Sequence, residues 1–322
     1  MKAFRVETPG DTSVMKFVDV DMPSPGKGEV RVRHHAIGVN FIDTYHRGGL
    51  YPLPLPTGLG QEAAGIVDAI GEGVARFAVG DRVAYCTGPL GAYSEAHVAP
   101  AARAVKLPAS ISFDIAAAAS LKGMTARYLL RKTFRVERGH VVLIHAAAGG
   151  VGQIATQWAK HLGATVIATV GSDAKVAIAK DLGADHVIVS TREDIAKRVR
   201  EIEPAGVHVV YDGVGKDTWD ASLDSLRPLG TMVTYGNASG AAPPFSPLVL
   251  SQKGSLFLTR PTLFHYTATT EQLDETAADL FDVIGKGAVK IAPPTRYALA
   301  DAAQAHRDLE SRKTTGSLVL VP

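Results

Sequence analysis

The chain has 322 residues, enough for about two domains with sizeable buried cores. It is 46% hydrophobic and 20% charged, an ordinary globular balance, and its formal charge of +2 gives no reason to expect nucleic acid as a partner. A single cysteine, Cys86, excludes an intrachain disulfide, and no apolar leader or membrane-length apolar run is present, so a soluble cytoplasmic protein is expected.

Residues 1 to about 120 read as β-rich. Glu29-Val30-Arg31-Val32-Arg33-His34 alternates with period two, as an antiparallel strand with one covered face does. Residues 65–71 and 80–85 are further short strands between turn residues, and glycine and proline punctuate often, as at Pro23-Ser24-Pro25-Gly26 and at Pro52, Pro54 and Pro56. A small irregular barrel is the expectation.

The rhythm changes near Leu121. Strands are expected at residues 141–145, 165–170, 186–189, 207–211 and 231–235, with helices at 150–162, 173–182, 193–202 and about 217–226. Residues 255–259 offer a sixth strand. This is the spacing of βα units in a doubly wound, Rossmann-type parallel sheet, whose ligand lies at the carboxyl ends of the strands. The texture turns mixed again from about residue 260 and ends in a strand at 316–321. The expected organisation is an α/β nucleotide-binding domain, residues 122–261, inserted into a barrel domain formed by 1–121 and 262–322.

Residues 141–152 carry the main chemical signal. The apolar run Val141 to Ile144 feeds a turn that reads Ala147-x-Gly149-x-x-Gly152, and an amphipathic helix begins at once. Gly149 lets backbone approach a pyrophosphate, Gly152 lets the helix pack on its strand, and the helix N-terminus offers N–H groups to an anion. A tight structural turn is the other reading of the same glycines. The next strand ends Thr169-Val170-Gly171-Ser172, with no carboxylate at its tip to hold a ribose 2′-hydroxyl. Gly171 and Ser172 open space there, and Lys175 stands one turn later, which favours NADP over NAD. Asp173 close by, and the ordinary solvated role of a surface lysine, stand against that.

A barrel before a Rossmann domain raises zinc. One cysteine cannot build a structural site, and the catalytic candidates are His34, His35, His46, Glu62 and Cys86. His34 and His35 are strand neighbours and point to opposite faces. Without a Lewis acid for an alkoxide, the expected substrate is a ready hydride acceptor: a quinone, or an alkene conjugated to a carbonyl.

These residues resemble the zinc-free quinone oxidoreductases of the medium-chain dehydrogenase/reductase superfamily, over essentially the whole chain. The resemblance is carried by Val39-Asn40-Phe41-Ile42-Asp43-Thr44-Tyr45, Gly58-Leu59-Gly60-Gln61-Glu62-Ala63-Ala64-Gly65, Leu121-Lys122-Gly123-Met124-Thr125, His145-Ala146-Ala147-Ala148-Gly149-Gly150-Val151-Gly152 and Val210-Tyr211-Asp212. Gln61 stands where zinc relatives have a histidine ligand. The resemblance implies a GroES-like barrel and NADPH bound in the cleft between domains. Gly149, Gly150, Val151 and Gly152 would meet the pyrophosphate. Gly171, Ser172, Lys175 and Arg312 would meet the 2′-phosphate end. Thr125, Tyr235, Gly236 and Asn237 would line the nicotinamide half. Asn40 and Tyr45 would flank the reacting ring, with Ile42, Asp43, Tyr51 and Arg260 nearby. Ser190 departs from close relatives, which carry a phosphate-binding tyrosine there.

On residue chemistry alone, Asn40 reads equally as a turn cap or a site residue, Asp43 as the N-cap of a short helix over 44–47, and Tyr45 and Tyr51 equally as packing residues or substrate contacts. Arg312 reads equally as a solvated edge charge, Cys86 as a small buried hydrophobe and His145 as a structural histidine. Hydride transfer to a quinone carbon or oxygen, chiefly by proximity and orientation, is the expected chemistry, by one- or two-electron reduction. The rival readings are an NADPH-dependent reductase of α,β-unsaturated aldehydes or ketones, and a crystallin-like NADPH-binding or RNA-binding protein. The near-neutral charge argues against RNA. The edge strand at 255–259 is expected to pair two copies into a homodimer.

Overall fold

The alternating stretch from Glu29 grows into an 11-residue strand, Glu29–Val39, in the computed structural model of the chain, which describes residues 1–311 and 314–322. The described residues divide into two units. Met1–Met124, Thr267–Gly285 and Ile291–Pro322 form one, and Thr125–Tyr266 with Lys286–Lys290 forms the other.

In the first unit, β1 (Lys2–Arg5) and β2 (Lys16–Asp19) make an antiparallel pair. β3 (Glu29–Val39) buries Val30, Val32 and His34 while Arg33 and His35 face outwards, and from Ala36 on both faces are covered. Then come α1 (Phe41–Gly48), β4 (Ala63–Ile70), β5 (Arg82–Tyr85), β6 (Ala96–Pro100), β7 (Ala104–Lys106) and α2 (Phe113–Tyr128). α1 ends because Gly49 takes a left-handed conformation at φ 81°, which lets its N–H turn back to the His46 carbonyl.

The second unit alternates strand and helix. β8 (Val141–Ile144), α3 (Gly150–His161), β9 (Thr165–Val170), α4 (Val176–Asp181), β10 (His186–Val189), α5 (Ile195–Ile202), β11 (Val207–Asp212), α6 (Trp219–Ser225), β12 (Leu226–Thr234), α7 (Leu248–Gln252), β13 (Phe257–Thr259) and α8 (Leu263–Tyr266) follow in turn. The strands form one parallel sheet in the order β10-β9-β8-β11-β12-β13, with sequence order reversing at β8. Such a switch point leaves a crevice at the strands' carboxyl ends. Leu143, Ile144, Ile167 and Ile188 are fully buried in this sheet, each contributing about 1.5–3 kcal/mol.

The chain then returns to the first unit as α9 (Thr270–Gly285), β14 (Thr295–Ala298), α10 (Ala302–Glu310) and β15 (Leu318–Val321). Its larger sheet runs β14-β15-β3-β4-β5-β7, with β6 also paired to β3.

Four expected elements need correction. The helix expected at 173–182 opens as a 3-10 turn, Asp173–Lys175, before α4. The last βα helix likewise begins as a 3-10 turn, and β12 starts at Leu226 rather than residue 231. Its pairing with β11 carries a register shift there, which breaks the apolar run that marks a buried strand. The helix expected over 44–47 with Asp43 as cap starts instead at Phe41, with Asn40 as N-cap and Asp43 inside its first turn.

Candidate active site

The glycine turn of the second unit is a close backbone approach. Ala146 adopts φ 51°, a left-handed conformation that an alanine rarely takes, and its carbonyl accepts the Gly149 N–H at 2.8 Å. A Cβ at Gly152 would run into the Ala146 carbonyl oxygen and come within 2.7 Å of the Ala147 Cα. Gly149 is the N-cap of α3 and brings no side chain to it, so the N–H groups of Gly150 and Val151 have no carbonyl ahead of them in the helix. An anion suits that position by both hydrogen bonding and helix dipole.

A buried polar chain holds the turn from below. Thr218 and Ser222 donate their hydroxyls to Asp212 Oδ2 at 2.7 and 2.8 Å, while Asp212 Oδ1 accepts the N–H groups of Val214 and Gly215. With its hydroxyl proton committed, Ser222 accepts from His145 Nε2 at 2.9 Å, and His145 Nδ1 then accepts the Thr169 hydroxyl at 3.0 Å. Burial keeps His145 neutral by lowering its pKa. None of these partners is close to His145 in sequence, so spacing gives no signal for them.

At the tip of β9, a Cβ at Gly171 would have nothing within 4 Å of it, and Ser172 is extended at φ −163°. Lys175 closes the 3-10 turn, its N–H bonded to the Ser172 carbonyl at 3.0 Å. Ser190 turns its hydroxyl onto the Val170 carbonyl at 3.2 Å. Asp173 is met by Arg192, a residue sequence reasoning passed over, with Nη2 at 2.8 Å from Oδ1. After β12, Tyr235 N–H donates to the Asp212 carbonyl at 2.7 Å, and a Cβ at Gly236 would sit 2.9 Å from the Gly213 Cα. Tyr235, Gly236 and Asn237 therefore follow a tightly fixed strand end. Arg260, past β13, donates to the Thr234 carbonyl at 3.0 Å. Thr125 is half-buried on α2, and Arg312 lies outside the described residues.

In the first unit α1 is inside out. Its buried face is polar, made of Asp43, Thr44 and Arg47, while Phe41, Ile42 and Tyr45 are half-buried. Arg47 donates to His306 Nδ1 at 2.9 Å and pairs with Glu310 at 2.7 Å. Arginine only donates, so His306 carries its proton on Nε2 and donates to the Tyr93 hydroxyl at 2.9 Å, which donates in turn to Asp43 Oδ2 at 3.0 Å. Asp43 Oδ2 also accepts the Asn40 N–H at 2.9 Å. Burial raises the Asp43 carboxyl to about 7 and holds His306 down to about 3.

With Asp43 caught below, the aromatic side of α1 is left outward. The Tyr45 and Tyr51 rings meet edge to face at 5.3 Å, and Phe41 and Tyr45 lie 6.3 Å apart. Next to this wall the Asn40 amide donates to Glu62 Oε2 at 2.7 Å. Glu62 also takes the Leu121 N–H at 2.6 Å and has Lys122 Nζ at 3.7 Å. The structure thus brings Asn40, Ile42, Asp43, Tyr45 and Tyr51 together on and around one helix, with Asp43 fully buried behind the others.

Residues 26–109 match the family model described as alcohol dehydrogenase GroES-like domain, and 150–282 match zinc-binding dehydrogenase. A quinone oxidoreductase of Pseudomonas aeruginosa is 52% identical over 315 residues, covering 97% of each chain. The chain belongs to the quinone oxidoreductase family of the medium-chain dehydrogenases/reductases. Another similar protein is a 2-haloacrylate reductase of Burkholderia, 48% identical over 94% of each chain. The structure of an Escherichia coli quinone oxidoreductase complexed with NADPH superposes with a TM-score of 0.98, at 48% identity and full coverage of both chains.

For a quinone oxidoreductase carrying a zinc-named family model, the donor set is decisive. Glu62 is tied by Asn40, Leu121 and Lys122. Cys86 is buried against Met124, and burial raises its thiol well above the usual range, away from the thiolate that zinc requires. His34 bonds the Ser94 carbonyl and the Tyr85 hydroxyl through its two nitrogens, whereas His35 stacks on Phe113. Among the described residues no group of three His, Cys, Asp or Glu side chains is placed to hold a metal ion. This donor set does not fit catalytic zinc.

Proposed function

We propose that this quinone oxidoreductase homologue is an NADPH-dependent quinone reductase that works without a metal. The observation that carries the reading is the N-terminus of α3, where the Gly149–Gly152 turn presses backbone against backbone and presents N–H groups rather than side chains. That cradle fits a dinucleotide pyrophosphate, and the NADPH complex of the Escherichia coli relative supports the choice of nucleotide.

When bound, NADPH supplies a hydride equivalent; the rest is done by the protein. Gly149, Gly150 and Val151 bind the pyrophosphate, Gly152 admits the helix, and Gly171, Ser172 and Lys175 take the 2′-phosphate end. Thr125, Tyr235, Gly236 and Asn237 orient the nicotinamide half. In the first unit, the outward aromatic side of α1, with Ile42, Tyr45 and Tyr51, stacks against a flat apolar acceptor and excludes water. Asn40, held by Glu62, and Tyr45 offer donors to the oxygen on which negative charge develops, and Arg260 adds a cation for the substrate. Asp43 positions Asn40 through its backbone. Because quinones are strong electrophiles, orientation supplies most of the acceleration.

The reading includes two copies joined through the edge strand β13, on which Phe257 is 62% exposed. It also places the protein in the cytoplasm, with the lone cysteine reduced and buried. No described helix is long and apolar enough to cross a membrane.

A second reading, reduction of α,β-unsaturated carbonyl compounds, is favoured by the 48% identical 2-haloacrylate reductase. The test is NADPH oxidation against 1,4-benzoquinone, 9,10-phenanthrenequinone and a 2-alkenal. Faster turnover of the quinones supports the first reading and faster turnover of the alkenal the second. Tight NADPH binding with no acceptor reduced indicates a binding protein instead.

A further inference from the structure

A carboxylate beside the tip of the second Rossmann strand ordinarily marks a site for NAD, since it binds ribose hydroxyls and repels a 2′-phosphate. Here Asp173 stands in that neighbourhood, three residues beyond the end of β9. Its carboxylate is already engaged. β9 and β10 run parallel with Val170 opposite Val189, so Ser172 and Asp173 leave the sheet beside Ser190 and Arg192. Arg192 reaches back and places Nη2 at 2.8 Å and Nε at 3.2 Å from the same oxygen, Asp173 Oδ1.

Two donors on one oxygen is not the two-by-two fork of a closed arginine–carboxylate pair. Nη1 faces Glu193 only at 3.7 Å, and Glu193 is itself held by the Val189 N–H at 2.8 Å and by Arg198 at 3.1 Å. The Arg192 side chain is 57% exposed, so its guanidinium is anchored at one end and presents donors to solvent at the other. Ser190, the nearer polar side chain, bonds inwards to Val170. The open space at Gly171 lies on this same corner.

We propose that Arg192 determines the preference for a 2′-phosphorylated nucleotide, with Asp173 acting as its anchor. The pair cancels the carboxylate that would repel the phosphate, and the guanidinium supplies donors to it beside Lys175. Asp173 is then a positioning residue and does not bind ribose. This inference rests on the NADPH reading above and adds to it a residue that decides phosphate recognition.

Titration calorimetry with adenosine 2′,5′-bisphosphate and with adenosine 5′-monophosphate (AMP), which differ only in the 2′-phosphate, separates the two claims without any turnover. Wild-type protein is expected to prefer the 2′,5′-bisphosphate, and Arg192→Ala to weaken its binding roughly tenfold or more while leaving AMP within about twofold. Asp173→Ala is expected to weaken the 2′,5′-bisphosphate by a smaller factor and not to weaken AMP. If wild type prefers the 2′,5′-bisphosphate and Arg192→Ala keeps that preference, the inference fails and the NADPH reading stands. A larger loss of AMP than of the bisphosphate in Asp173→Ala assigns Asp173 to ribose and also overturns the inference. No preference in the wild type overturns both.

Discussion

Asn40 donates its side-chain amide to Glu62 Oε2 across 2.7 Å, and the same carboxylate has the Lys122 ammonium at 3.7 Å. Glu62 is fully buried, and burial pushes its carboxyl up while Lys122, Asn40 and the Leu121 N–H oppose that shift. Even the facing strand makes room, since a Cβ at Gly38 would strike the carboxylate. Removing Glu62 leaves a buried ammonium without its partner and releases the Asn40 amide. Glu62→Ala is expected to lower the unfolding free energy by about 3–5 kcal/mol in urea titrations, and Lys122→Met in addition is expected to recover part of it. A loss under about 1 kcal/mol would show that the pair contributes little.

Gly152 and Gly171 separate the structural from the binding role of glycine. Gly152→Ala drives a methyl into the backbone of Ala146 and Ala147, so the start of α3 must shift. Both stability and NADPH affinity are expected to fall, the latter roughly tenfold or more. Gly171→Ala meets nothing within 4 Å and is expected to leave the melting temperature within a few degrees of wild type. Equal effects of the two substitutions on melting and on NADPH titration would contradict the backbone-contact account.

The Asp43–Tyr93–His306 chain sets opposing pH responses. Asp43, raised to about 7, keeps its proton in the fold, so its contribution is full below about pH 4 and is lost as pH rises through 7. His306, held down to about 3, stays neutral, so its contribution is full above about pH 6.5 and is lost as pH falls. Between those limits the two slopes oppose each other. Asp43→Asn is expected to steepen the loss of stability on acidification, and His306→Gln to flatten it, each by up to about 1.4 kcal/mol per pH unit. Parallel stability–pH curves for wild type and both variants would refute this assignment.

The proposed pairing of copies through β13 predicts a clean oligomer response. Phe257→Asp puts a charge on an exposed edge strand and is expected to convert dimer to monomer in sedimentation velocity. NADPH binding should survive. A monomeric wild type at micromolar concentration would reject the dimer.

The Rossmann unit was legible because its central strands β8, β9 and β11 are buried on both faces. Thr165–Val170 and His186–Val189 are apolar runs bracketed by glycine or polar residues, and their bounds match those read from the sequence. α1 was less legible. Its buried face is Asp43, Thr44 and Arg47, so hydrophobic patterning points the helix the wrong way and suggests a shorter one. Partners far away in sequence, among them Gly10, Tyr93, His306 and Glu310, make that burial possible. Arg192 was missed for a related reason: it lies in the turn after β10, two strands beyond the one that carries the fingerprint, and the parallel pairing of β9 with β10 brings it to Asp173.

The most direct test is the specificity constant for NADPH and for NADH with 1,4-benzoquinone, measured on protein treated with EDTA. Metal-free, NADPH-dependent reduction predicts undiminished quinone turnover after chelation and a preference for NADPH of roughly tenfold or more. Activity that disappears on chelation and returns with zinc, or equal use of the two nucleotides, would contradict it.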